Sequence, residues 1–196
     1  MEKGLRTGVK FKTRQLTVIG MLSAISIILG VTGLGFIPIP PVKATILHVP
    51  VIIGAILEGP VVGAMVGLIF GIFSMVQAIT TPTPVSFIFM NPLVAVVPRV
   101  LIALTAYYTY RIVKTNVKSL NIAVAAAVGS LTNTIGVLGM IYAIYLEPYA
   151  KVLHLSVSGA KKGIIAVGAT NGIPEAILSV IITAAVITAV SKIRRR

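Results

Sequence analysis

Six apolar stretches, separated only by short polar or proline-rich breaks, restrict this chain to a fold embedded in a membrane. A helix needs about 20 apolar residues to cross the hydrocarbon core of a bilayer, so 196 residues have room for about six spans. With 57% hydrophobic and only 11% charged residues, the chain cannot cover itself with a soluble surface. We therefore predict an all-α bundle of six transmembrane helices over residues 15–190. The apolar stretches are residues 15–34, 46–58, 60–79, 91–110, 120–146 and 163–190.

Positive charges orient this predicted bundle. Residues 1–14 form a basic arm, residues 111–118 a basic connector and residues 191–196 a basic tail. With the amino terminus in the cytoplasm, twelve of the 17 Lys and Arg residues lie on the cytoplasmic side and four on the outer side. Because cytoplasmic loops are enriched in Lys and Arg, we predict a multi-pass protein of the cell membrane with a cytoplasmic arm and a cytoplasmic tail.

The scarcity of reactive side chains argues against catalysis. The chain has no Cys, no Asp, two His and four Glu. Such a composition excludes disulfides and a cysteine nucleophile, and it is too poor in histidine for a histidine-built metal site. No phosphate-binding loop, zinc-type His-Glu pairing or serine nucleophile motif is present. We therefore predict that the chain is not an enzyme and binds no metal or cofactor itself.

Two charged residues, Arg99 and Glu175, fall inside predicted spans. A charge at the centre of a bilayer costs at least ~2.5–3.5 kcal/mol, so each residue needs a partner. Counted from the outer ends of their spans, Arg99 lies about 12 Å deep and Glu175 about 18 Å deep. Three interpretations remain open: an ion pair between them, an Arg99 that anchors a substrate carboxylate or phosphate, or a contact of either charge with a partner subunit.

Amide side chains on three spans predict a polar cavity in the same region. Each lies in a short polar cluster, and together with an amide and a phenol on other spans they are candidate ligand contacts. Irregular backbone within a span is typical of transporter binding sites, and Gly172 with Pro174 predicts a break in the sixth span. The candidate contacts are Asn91, Asn133, Asn171, Gln77 and Tyr142.

The proline-rich segment over residues 35–48 is the predicted first outer loop. It is apolar and carries one cation, Lys43, which is a further candidate ligand contact. An apolar loop is costly in water, so we expect this segment to fold back as a lid over the cavity. The second stretch, residues 46–58, is short for a span and is expected to be tilted, half-buried or preceded by a loop that dips into the membrane.

Small residues mark two candidate packing faces. On the first span, Gly20 and Ala24 are four residues apart with Ser23 beside them, a spacing that lets another helix approach closely. This face is a candidate docking surface for another helix. On the third span, Gly63, Gly67 and Gly71 line one face, which serves either as a docking surface or as ordinary helix packing inside the bundle.

Several of these motifs together resemble the substrate-binding S component of energy-coupling factor (ECF) transporters, over about residues 15–190. The resemblance rests most on residues 36–40, followed by residues 47–55 and 58–64. The stretches at residues 91–99 and 171–175 also fit this family. Among its branches, the chain is most similar to the pantothenate type, with riboflavin and hydroxymethylpyrimidine as alternative substrates.

The resemblance implies a function that composition alone does not. Such proteins bind a vitamin or its precursor near the outer surface, in a pocket formed by spans four to six and the outer loops. They associate with an energising transmembrane subunit and two ATPase subunits, so ATP is used by the partners and not by this chain. The resemblance implies that the face with Gly20, Ser23 and Ala24 on the first span is the interface with the energising subunit. The alternatives are a secondary transporter that works alone, and a membrane enzyme or assembly factor.

Overall fold

The structure, a computed structural model, describes the backbone of residues 12–39 and 42–193 and, outside residues 37–44, their side chains. Most of the predicted basic arm and half of the basic tail therefore lie outside the described residues. The elements are α1 (Thr13–Val31), β1 (Phe36–Ile39), β2 (Val42–Thr45), α2 (Val49–Glu58), α3 (Pro60–Thr80), α4 (Ser86–Phe89), α5 (Pro92–Ile112), α6 (Lys118–Ile144), α7 (Leu146–Val152) and α8 (Val157–Ile193).

Five helices within the described residues are long and apolar enough to cross a membrane, namely α1, α3, α5, α6 and α8. The second predicted span, residues 46–58, corresponds to α2, which has only 10 residues and is about 15 Å long. The predicted all-α membrane bundle is thus confirmed, with five full spans and one short helix. The predicted break at Gly172 and Pro174 is wrong, because α8 continues as one helix of 37 residues past both positions.

Proline and a few special residues set where the helices begin. Gly59 separates α2 from α3 with a φ of 102°, a conformation that favours glycine, and Pro60 occupies the first turn of α3. At the start of α5, the Asn91 side chain accepts a hydrogen bond from the Leu93 N–H at 2.9 Å, and Pro92 follows it. Both junctions therefore follow the usual capping chemistry of helices.

The short helix α2 lies in the centre of the bundle, where it contacts α1, α3, α5, α6 and α8. Its first seven residues are all buried. Because the surrounding helices cover it, α2 does not need to span the membrane by itself. The second segment is short, as predicted, and its burial within the bundle is a finding of the structure.

The glycine face of α3 packs against α5. A Cβ added at Gly67 would lie 2.4 Å from the carbonyl oxygen of Arg99, and one at Gly71 would lie 2.7 Å from that of Ala95. A Cβ added at Gly63 would lie 2.6 Å from the Cβ of Ala55 on α2 and 2.9 Å from that of Ala103 on α5. This face therefore serves internal helix packing, and it brings α3 directly against the part of α5 that carries Arg99.

The predicted outer loop forms a two-stranded antiparallel hairpin in which Phe36 pairs with Thr45. Pairing satisfies backbone groups that would otherwise be unbonded close to an apolar environment. After the hairpin, the Ser26 hydroxyl on α1 donates to the Leu47 carbonyl oxygen at 3.1 Å. The hairpin is thereby attached to the first helix on one side and leads directly into α2 on the other.

A fully buried histidine fixes the junction between the hairpin and α2. The Nε2 atom of His48 lies 3.0 Å from the Ser130 hydroxyl on α6 and 2.8 Å from the Ser179 hydroxyl on α8. Three elements that are distant in sequence are therefore joined through one imidazole. The hydrogen bonds within this cluster replace those that its three polar groups would form with water if they were exposed.

Replacing His48 with Ala is expected to destabilise the fold. The substitution leaves the hydroxyls of Ser130 and Ser179 without this partner, and a buried polar group that loses its partner costs about 1–3 kcal/mol. We expect a lower midpoint of thermal unfolding for the purified protein in detergent.

The matched control is His154→Asn. His154 is exposed and has a φ of 54°, which Asn tolerates. If the His48 and His154 variants unfold at the same temperature, the buried cluster does not hold the bundle together.

Candidate binding site

Two adjoining cavities lie beneath the hairpin. The larger has a volume of about 320 Å³ and extends towards α3 and the hairpin, and the smaller has a volume of about 210 Å³ and lies between α5, α6 and α8. The larger is within the usual range for small-molecule sites, about 300–1,000 Å³. We treat them as one site because both are lined by the same four residues, Thr45, Phe89, Arg99 and Asn133.

Proline within α5 explains how Arg99 is held. Pro98 has no N–H, so the Val94 carbonyl oxygen one turn earlier lacks its usual helical donor. The Arg99 side chain supplies the missing donor, with Nη1 at 2.8 Å from that oxygen. A carbonyl exposed by a proline and a buried guanidinium therefore satisfy each other.

The remaining surroundings of Arg99 are aromatic and not acidic. Its guanidinium carbon lies 5.5 Å from the centroid of the Phe70 ring and 5.4 Å from that of the Phe89 ring. The side chain is 6% exposed, and its Nε is buried without a hydrogen-bond partner. Cation–π contacts stabilise such a charge only partly. The site therefore presents a positive charge with unused hydrogen-bond donors.

The predicted alternative of an Arg99–Glu175 ion pair is not what the structure shows. Within the described part of the chain, the ion pair closer than 4.0 Å joins Arg14 and Glu58, at the opposite end of α2 from the hairpin. Glu175 instead accepts hydrogen bonds from the Thr45 N–H at 2.8 Å and the Thr45 hydroxyl at 2.9 Å. The Thr134 hydroxyl donates to its other oxygen at 3.4 Å. Both charges line the smaller cavity, each with its own neutral partners.

Three of the predicted amides line these cavities. Asn133 on α6 lines both, and its Oδ1 atom is buried without a hydrogen-bond partner. Asn171 on α8 lines the smaller cavity. Gln77 on α3 lines the larger cavity and donates to the Gly30 carbonyl oxygen at 3.3 Å. The sequence therefore identified side chains from three different helices that the fold brings together.

Other predicted contacts lie away from this lining. Asn91 caps α5 and donates to the Tyr145 hydroxyl at 2.9 Å, so its amide is already occupied. Tyr142 is 46% exposed on α6, with its ring against the Lys161 ammonium group. Lys43 lies in β2, and its side chain falls outside the described part of the structure.

Several lining residues were not predicted from the sequence. Thr45 and Thr134 hold Glu175, while Phe70 and Phe89 enclose Arg99. Phe89 lies in the polar segment before Asn91, so its position in the sequence was a signal that it could line the cavity. Nothing in the sequence distinguishes Thr45 or Phe70 from the other residues of their kind.

The predicted partner face on α1 divides into an exposed and a buried part. Gly20 and Ala24 are exposed, and no atom lies within 4 Å of the position of a Cβ at Gly20. Ser23 is buried, and its hydroxyl has no hydrogen-bond partner. An apolar groove of about 320 Å³ runs beside this face between α1, α2 and α8. It offers no polar group within its walls to orient a small ligand, apart from Arg14 and Glu58 at one end.

Comparisons with known proteins agree with the resemblance found in the sequence. The family model for the substrate-specific component of ECF transporters matches residues 14–187. The pantothenic acid transporter PanT of Lactococcus lactis subsp. cremoris (strain MG1363) is 36% identical over 168 residues, which cover 79% of this chain and 81% of that protein. The pantothenate transporter PanT of Leuconostoc mesenteroides subsp. mesenteroides is 31% identical over 136 residues, covering 64% of this chain and 67% of the relative.

These matches extend over most of the chain and agree with its apolar helices. Membership in such a family makes the protein a component of a transporter, and implies partnership with the energising and ATPase subunits of an ECF transporter. The chain belongs to the family of substrate-specific components of ECF transporters and is a multi-pass membrane protein, not an enzyme.

Proposed function

We propose that this chain captures pantothenate for an ATP-driven ECF importer and that Arg99 binds the carboxylate of the ligand. The ligand is suggested by the two relatives, which are named as pantothenate transporters. The observation that carries the residue assignment is the buried Arg99 guanidinium, which lines both cavities without an acidic partner within 4.0 Å in the described chain.

The chemistry of pantothenate matches that of the cavity. The molecule has a carboxylate at one end, an amide in the middle, and a dimethyl-substituted carbon with two hydroxyls at the other end. A carboxylate can accept charge-assisted hydrogen bonds from Arg99. The unpartnered Oδ1 of Asn133 can accept from the ligand amide, and the apolar part of the smaller cavity suits the methyl groups. That apolar part consists of Val137, Leu138 and Val167.

The alternative vitamins fit this site less well. Riboflavin and hydroxymethylpyrimidine carry no carboxylate, so neither compensates the charge of Arg99. A buried guanidinium without a counter-charge destabilises the complex, whereas an anionic ligand removes that cost. The cavity chemistry therefore favours pantothenate over both.

The charge distribution of the chain supports capture from outside the cell. The hairpin and the cavities lie near the start of α5, whereas the connector with Arg111 and Lys118 lies at the other end of that helix. If this basic end is cytoplasmic, the cavities lie in the outer half of the membrane and both termini are cytoplasmic. ATP is then hydrolysed by the partner subunits, and ligand binding by this chain needs no ATP.

The exposed part of the α1 face is the proposed contact with the energising transmembrane subunit. Gly20 and Ala24 leave open space along the helix, which permits close approach of a partner helix in the membrane. Their position is also separate from the cavities, since neither residue lines them. Assembly and ligand binding can therefore be tested separately.

The assignment of Arg99 predicts a selective loss of affinity for the acid. Pantothenol replaces the ligand carboxylate with a neutral alcohol and serves as the comparison. Hydrogen bonds to charged groups contribute about 1.5–3 kcal/mol, so Arg99→Met should weaken pantothenate binding about 10- to 100-fold and change pantothenol binding little. Isothermal titration of the purified chain, without ATP or partner subunits, measures both affinities.

The matched control for this experiment is Arg111→Met. Arg111 is an exposed residue near the end of the same helix, so this variant removes the same charge outside the cavity and should bind both ligands normally. An Arg99→Met protein that folds and still prefers pantothenate over pantothenol would refute the anchor assignment.

The α1 interface predicts that Gly20→Trp blocks assembly and leaves pantothenate affinity unchanged. A Cβ at this position meets no atom within 4 Å in the described part of the chain, and the larger Trp side chain would extend into the space proposed for the partner helix. Gly139→Trp is the matched control, because Gly139 is also an exposed helical glycine with open space, on α6. Co-purification with the tagged energising subunit measures assembly. Normal assembly of the Gly20 variant would place the interface elsewhere.

A further inference from the structure

We propose that Glu175 sets the specificity of the cavity by accepting a neutral hydroxyl of the ligand and rejecting an anionic group at the same position. The proposal rests on the proposed function and extends it to the end of the ligand opposite the carboxylate. Its consequence is that the chain takes up the free vitamin and excludes the phosphate monoester of its terminal hydroxyl.

The hydrogen-bond donors around Glu175 complement a carboxylate acceptor. Three donors point at it, two from Thr45 and one from Thr134, and an ionised carboxylate is a pure acceptor. The side chain is 5% exposed, and no cation lies within 4.0 Å of it in the described chain. The partners of the Glu175 carboxyl group in the described chain are therefore neutral donors alone.

One oxygen of Glu175 retains capacity for a ligand. Oε1 accepts both hydrogen bonds from Thr45, at 2.8 and 2.9 Å, whereas Oε2 has only the 3.4 Å contact with Thr134. A carboxylate oxygen can accept more than one hydrogen bond. Since Glu175 lines the smaller cavity, a ligand hydroxyl can provide the missing donor there.

Arg99 and Glu175 together give the smaller cavity two opposite charges. They come from α5 and α8, line the same space and do not pair directly. A ligand with an anion at one end and hydroxyl donors at the other satisfies both in one orientation only. A second anionic group at the hydroxyl end would lie against a buried carboxylate, where like charges repel strongly.

Glu175 also holds the hairpin through Thr45, and the two roles must be separated. Thr45→Val removes one hydrogen bond between the hairpin and Glu175 while the carboxylate remains charged. Glu147→Gln removes the same charge as Glu175→Gln but from the exposed helix α7. Discrimination against an anionic group on the ligand should therefore change only in the Glu175→Gln variant.

The experiment measures three dissociation constants for each protein by titration: pantothenate, its terminal methyl ether and its terminal phosphate monoester. In the unaltered chain, the ether loses the donated hydrogen bond and should bind about tenfold more weakly, and the ester should bind at least about 100-fold more weakly. Glu175→Gln should lower the ratio of the ester's dissociation constant to that of the ether about tenfold or more, since the repulsion between the carboxylate and the phosphate is removed.

The outcomes separate this proposal from the function on which it rests. If the unaltered chain does not bind pantothenate, the proposed function fails. If it binds pantothenate and the ester equally well, the specificity role of Glu175 is refuted without any variant. The specificity role is also refuted if folded Glu175→Gln keeps the full ratio between the dissociation constants of the ester and the ether. It is likewise refuted if Thr45→Val or Glu147→Gln lowers that ratio as much as Glu175→Gln does. Thermal unfolding of each variant verifies the fold.

Discussion

A positive charge buried in a membrane bundle needs compensation, and the fold provides it for Arg99 only in part. The Val94 carbonyl, released by Pro98, accepts one hydrogen bond, and the rings of Phe70 and Phe89 face the guanidinium. The glycine face of α3 lets that helix pack directly against the backbone of α5 at this level. These contacts position the charge beside a cavity without neutralising it. We infer that an anionic ligand completes the site.

Two layers of hydrogen bonds attach the hairpin and α2 to the same region. In the layer at the cavity, Glu175 joins Thr45 to Thr134, and one helical turn away from it, His48 joins Ser130 to Ser179. The layers follow the spacing of four residues on both α6 and α8, which places successive side chains on one face of a helix. The segment over residues 45–48 is thereby held between the cavity and the centre of the bundle. Its two ends have different roles, since Thr45 lines the cavities and His48 stabilises the core.

The sequence predicted the arrangement of helices better than the contacts of individual side chains. Apolar length was sufficient for five of the six predicted spans, and the cost of a charge in lipid identified Arg99 and Glu175. Whether the two form a pair depends on the directions of their side chains. A proline-released carbonyl and two threonines determine those directions, and spacing along the chain does not reveal them.

The other differences also have physical causes. Asn91 precedes a proline at a helix start, which is a capping signal that was available in the sequence. The side chain of Tyr142 is 46% exposed, although Leu138, one helical turn earlier on α6, lines the smaller cavity. The position of a residue around the helix axis decides which face it occupies, and the sequence did not fix that position for Tyr142. Pro174 does not break α8, since neighbouring groups in a bundle can compensate a proline within a membrane helix. The hairpin depends on pairing within a segment whose proline content gave only a loop signal.

The central claim is that the ligand carboxylate binds directly to Arg99, and a measurement between labelled nuclei tests it most directly. Pantothenate labelled with ¹³C at the carboxylate can be bound to protein whose arginine side chains carry ¹⁵N, with the chain reconstituted in lipid. Solid-state NMR dipolar recoupling then reports whether an arginine nitrogen is near the carboxylate carbon. We predict strong dephasing of the carboxylate signal, which persists in Arg111→Met, where the charge removed lies outside the cavity. A carboxylate signal from bound ligand that shows no dephasing would contradict the account.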